Sequence, residues 1–186
     1  PPFPDIAIAA GRVTIPYLRA LKRASGGAVF TVCLQDPRTG AGTADVIWVQ
    51  EHDRLRGENV IVTLTAPHGV GGATLAAARE HSDPRIAALP EPRFAVILGG
   101  ASAHHTFETR DIEALARIAG HIAASGGSVM VTPSRRTPAA LLEAVRQSLA
   151  GAGGRAFVWD GTGVNPYAQM LAHAAALIVT ADSANM

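Results

Sequence analysis

Lysine is almost missing from this chain: of its sixteen basic residues fifteen are arginine, and Lys22 is the one lysine. Sugar epimerases that work with a bound dinucleotide need a Tyr-x-x-x-Lys pair. Leu18 stands four positions before Lys22, so the sequence argues against that chemistry. Cysteine occurs once, at Cys33, which excludes an internal disulfide framework and a cysteine-based zinc site. Excess charge is also missing. Residues 1–91 carry nine basic and nine acidic groups and residues 92–186 seven and six, so neither half forms a general nucleic-acid surface. No apolar run approaches the roughly 20 residues that span a bilayer, and no signal peptide is recognisable. The seven histidines show neither HxxxH nor HExxH spacing, and His104 and His105 are adjacent, which points their rings apart; no metal is expected. A GxSxG nucleophile elbow and a GxxxxGK[ST] phosphate loop are both absent.

What is present is a core. Hydrophobic residues make up 48% of 186 and charged ones 17%, and 36 alanines favour helices. Short β-rich runs alternate with helical stretches. In the first part strands are expected at Asp5–Ala9, Val29–Leu34, Ala44–Val49 and Asn59–Leu64, with helices from Ile15 to Ser25 and Ala73 to His81. Ser82–Arg93 carries three prolines and reads as a boundary. Beyond it, strands at Phe94–Leu98, Ser128–Thr132, Ala156–Trp159 and Ala176–Thr180 alternate with helices over Phe107–Ser125, Thr137–Ala150 and Asn165–Ala174. This rhythm predicts an α/β protein of two Rossmann-like domains, residues 1–82 and 83–186, with parallel sheets flanked by helices. Both chain ends fall beside apolar strands and read as cut, with further chain expected to pack on the second domain.

In such sheets ligands sit beyond the carboxyl ends of the strands, which selects five loops. Gly99 and Gly100, followed by Ser102, let backbone N–H groups approach a diphosphate, or simply make room for a turn. Ser134, Arg135, Arg136 and Thr137 place two arginines at a helix start, an electrostatic misfit that an anion relieves. Only one of the two arginines is expected to touch it. Trp159 and Asn165 flank a Gly-rich turn and suit a nucleoside, although a tryptophan at a strand end is more often core and Asn165 is first a helix cap. Asp182 and Ser183 form a further anion-cradling turn, or cap a helix. In the first half Glu51, His52 and Asp53 read either as a general-base set or as a solvated loop.

Seven motifs in order resemble the elongated-mitochondria family: Gly11–Tyr17 (GRVTIPY), Leu34–Arg38 (LQDPR), Glu51–Gly57 (EHDRLRG), Leu98–Ser102 (LGGAS), Thr132–Thr137 (TPSRRT), Trp159–Tyr167 (WDGTGVNPY) and Thr180–Met186 (TADSANM). Plant members of that family are tied to mitochondrial fission. The resemblance implies a fold like the GT-B glycosyltransferases, in which two Rossmann-like domains face a cleft. By that analogy Gly99, Gly100, Ser134, Arg135, Arg136 and Thr137 face the diphosphate of a nucleotide-sugar donor. Asp182 and Ser183 then lie beside the diphosphate or sugar, Trp159 to Asn165 near the nucleoside, and Gly11, Arg12 and Glu51 to Asp53 on the acceptor side. The implied activity is metal-independent glycosyl transfer with no cofactor beyond the donor and an unidentified acceptor. The alternative is a non-catalytic protein that keeps the cleft and recruits partners, cytoplasmic or peripherally bound to a membrane.

Overall fold

The computed structural model describes residues 2–102 and 105–181. Strands β1 (Ile6–Ala10), β2 (Phe30–Leu34), β3 (Val46–Gln50) and β4 (Val60–Thr63) form one parallel sheet in the order β1-β2-β3-β4. Helix α1 (Ile15–Ala24) links the first two, with Pro16 in its first turn, where a missing N–H costs nothing. The register pairs Ile6 with Phe30, Ile8 with Val32, Leu34 with Trp48 and Trp48 with Ile61. Side chains alternate along a strand, so these residues share one face. The other face carries Ala7, Ala9, Cys33, Ile47 and Val49, which form a core with Ile15 and Leu18 of α1.

Each strand of this sheet is added on the same side of the last. Right-handed crossovers then run over a single face, the one covered by α1. On the opposite face Ile6, Ile8 and Phe30 are 58%, 67% and 45% exposed, while Val32, Leu34 and Trp48 are half-buried. Lys22 crosses from α1 to the sheet. Its ammonium donates to Asp45 at 2.8 Å and to the Val29 carbonyl at 2.8 Å, while Asp45 also accepts from the Thr31 N–H and hydroxyl at 2.7 and 2.8 Å.

The second sheet contains β5 (Arg93–Leu98), β6 (Ser128–Pro133), β7 (Ala156–Val158) and β8 (Ala176–Val179), all parallel, in the order β7-β6-β5-β8. β6 is central and buried along almost its whole length, as its run SVMVT requires. Helices α4 (Thr109–Ala124) and α5 (Ala139–Leu149) cover one face through Ala119, Leu141, Val145 and Leu149. The other face packs Ile86 and Leu89 against Met130, Phe157 and Met170, which brings in α3 (Pro84–Ala87) and α6 (Tyr167–His173).

The compact units part between Pro67 and His68 rather than inside Ser82–Arg93. Two contacts explain the difference. α2 (Gly72–Glu80) is tied to α6, with the Arg79 guanidinium donating to the Ala172 carbonyl at 2.8 Å. The three-proline stretch itself buries Ile86 and Leu89 in the second core, and Asp83 caps α3 by accepting from the Arg85 N–H. No helix among the described residues is long and apolar enough to cross a membrane.

Candidate functional site

The strand order of the second sheet locates its binding end. The chain runs outward from β5 to β6 and β7, then returns to the far side of β5 as β8. Loops leaving β5 and β8 therefore start from the point where the winding reverses, and a crevice at the carboxyl ends of strands is the usual ligand position there. Gly99 and Thr180 meet at this point, the Gly99 N–H donating to Thr180 Oγ1 at 2.7 Å. Beside them lies a cavity of about 350 Å³ lined by His105, Thr106, Phe107, Leu115, Ile118 and Thr180 among others. Its walls are mainly apolar, and His105, Thr106, Asp111 and Thr180 supply polar side chains. Ser102 Oγ lies 3.3 Å from His105 Nδ1.

On the other side of Gly99, the loop after β6 closes against the glycine pair. Thr137 Oγ1 is bonded to the Leu98 and Gly99 carbonyls at 2.9 and 2.5 Å and accepts from the Ser134 N–H at 2.8 Å. The Arg136 guanidinium donates to the Ala101 carbonyl at 3.0 Å. A methyl group at Gly100 would overlap the Arg136 backbone, so only glycine permits this approach. Thr137 therefore stitches two loops together instead of capping α5, whose first residue is Ala139 after Pro138. Gly99, Gly100, Ser134, Arg136 and Thr137 are thus brought together. Arg135 is exposed, with no hydrogen bond or ion pair to the described residues.

Trp159 and Asn165 are occupied locally. Trp159 Nε1 donates to the Thr162 carbonyl at 2.8 Å, and the residue packs, partly buried, against the core that contains Met130 and Phe157. Asn165 Oδ1 accepts from the Tyr167 N–H at 2.9 Å in a turn just ahead of α6; the N-cap itself is Pro166, so the expected cap falls one residue later than the sequence position suggests. Asp160 accepts from the Thr162 N–H and hydroxyl, which holds its carboxyl below the usual range. Asp182 and Ser183 lie outside the described residues, as does His104.

In the first unit Glu51, His52 and Asp53 follow β3 in a tight turn, with the Asp53 N–H donating to the Gln50 carbonyl at 3.0 Å. Asp53 is buried and faces Arg38 at 3.5 Å, while Glu51 and His52 are exposed. Arg56 closes the turn by donating to the Glu51 and Asp53 carbonyls. Among the described residues no hydrogen bond joins His52 to either carboxylate.

A family model described as Mitochondrial fission ELM1 matches residues 1–186. The chain belongs to the mitochondrial fission ELM1 family. It is similar to the Mitochondrial fission protein ELM1 of Arabidopsis thaliana, 28% identical over 206 aligned residues that cover 98% of this chain and 48% of the relative. The chain thus spans about half the length of the curated relative it matches. In this ELM1-family chain the cavity walls at Phe107, Leu115 and Ile118 escaped sequence reasoning. Their period fits any core-facing helix, and only the return of β8 to the side of β5 makes them line a crevice.

Proposed function

We propose that this chain serves an ELM1-type protein as a non-catalytic, partner-recruiting module whose second unit keeps a place for a nucleotide diphosphate or its sugar. Membership of the ELM1 family over the whole chain carries the recruiting part of this reading. The arrangement of Glu51, His52 and Asp53 supports the non-catalytic part: a general base needs its imidazole held by a carboxylate, and here the buried carboxylate faces Arg38 instead. The ligand end rests on Gly99 and Gly100 at the carboxyl end of β5 and on the exposed Arg135 of the β6 loop that closes against them. The same loops favour a second reading, GT-B-type glycosyl transfer, in which Arg135 stabilises a departing diphosphate.

A thermal-shift screen with nucleoside diphosphates and their sugars tests both readings. One nucleotide should raise the melting temperature by mass action, and Arg135→Ala should weaken its binding by about 1.5–3 kcal/mol, roughly ten- to hundredfold. The donor sugar should remain intact on long incubation. Steady release of nucleoside diphosphate from the donor would replace the recruiting reading with the transferase one.

A further inference from the structure

Arg12, Pro16, Arg19 and Arg23 recur at steps of four, three and four, which puts them on one side of α1 and the turn before it. The side facing the sheet belongs to Ile15 and Leu18, and Lys22 is engaged with Asp45. The three arginines line a cavity of about 460 Å³ in the first unit, closed by Ile15, Pro37 and Thr39. No acidic residue lines it. Among the described residues none of the three has a carboxylate within ion-pair distance, and Arg19 makes one long contact, 3.4 Å to Thr43 Oγ1. Arg38, Arg85, Arg93, Arg110 and Arg117 each have a carboxylate within ion-pair distance, while Arg56, Arg79 and Arg155 are held by backbone carbonyls.

Three unpaired guanidiniums around one cavity repel one another, and like charges four residues apart, as in Arg19 and Arg23, weaken a helix. Arg12 also lies at the amino end of α1, where the helix dipole is already positive. A multiply charged anion removes all three penalties. Guanidinium forks match phosphate oxygens two at a time, and a phosphate monoester carries close to two charges at neutral pH. We propose that this arginine-lined cavity binds a phosphate-monoester or diphosphate group, either a soluble phosphate ester or the headgroup of an anionic lipid. The site is built from residues of the first unit alone, and the proposal does not depend on the function of the second unit's strand-end loops.

The test uses the whole chain carrying Arg135→Ala, so that the second unit's exposed arginine does not contribute. Pyrophosphate is titrated calorimetrically, and flotation is measured with phosphatidylcholine vesicles with and without phosphatidic acid. Both are repeated after adding Arg19→Gln and Arg23→Gln. Saturable pyrophosphate binding identifies a soluble ligand, and capture by phosphatidic acid vesicles alone identifies a headgroup. In either case binding should weaken about tenfold or more in the double replacement and fall with added salt. Without ligand the double replacement should melt at the same temperature or higher, because a repulsion is removed. Absence of both kinds of binding, binding unchanged by the replacements, or a lower melting temperature without ligand would each overturn the proposal.

Discussion

Asp45 sits where an ammonium, a hydroxyl and a backbone N–H converge, and its carboxyl is held down to about 2 from an ordinary 3.8, chiefly by the hydrogen bond from Lys22. A carboxylate with a lowered native pKa stabilises the fold fully above its unfolded pKa and loses that contribution as pH falls toward the native value. Stability of the first unit should therefore drop between about pH 4 and pH 2. Asp45→Asn should flatten that slope in urea melts and cost about 1–2 kcal/mol at neutral pH, the lower part of the range for charged hydrogen bonds because the pair is about a third exposed. The two adjacent arginines teach a related lesson. Their sequence position predicts that one meets an anion. That Arg136 is drawn onto the Ala101 carbonyl while Arg135 stays exposed is a tertiary fact that residue order does not carry.

At the scale of elements, α2 depends on a proton. His173 Nδ1 lies 2.9 Å from the Arg93 guanidinium, which has only donors, so Nδ1 accepts and Nε2 carries the hydrogen. That hydrogen points to Ser82 Oγ at 2.5 Å, and Ser82 in turn reaches the Ala78 carbonyl at the end of α2. Burial, then Arg93 and Arg79, push the His173 pKa down from 6.5, with Glu91 opposing. Below about pH 6.5 the unfolded or opened form takes the proton more readily, so the clasp weakens as pH falls until the native pKa is reached. Hydrogen exchange of α2 should accelerate over that range relative to α5, and His173→Gln, which accepts and donates alike without titrating, should remove the difference. Burial also separates the two faces of the first sheet. Ile47→Ala should cost about 2–5 kcal/mol in chemical denaturation, whereas Ile8→Ser should stay within about 0.5 kcal/mol. Strand positions were legible because β-branched runs such as VFTVCL and PRFAVIL have few other uses. α3 was not, because prolines that usually break a helix here open one, and Ile86 alone gives little periodicity to read.

For the whole molecule, the alternation of strands and helices was enough to predict two parallel α/β units, and both sheets are parallel. Sheet order was hidden. Nothing local tells β8 to return beside β5, yet that return creates the crevice. The boundary was displaced because α2 and the residues just after it reach far along the chain, Arg79 to the Ala172 carbonyl and Ser82 to the His173 ring. The solitary lysine has a chemical consequence at this scale. Lys22 is the chain's only side-chain amine, and its ammonium is clamped by Asp45 and the Val29 carbonyl. Acylating reagents attack the free base, so they find a slow target while the first unit is folded and a fast one when it opens. The second unit offers them no lysine, which makes the acylation rate of one atom a clock for the opening of the first unit alone.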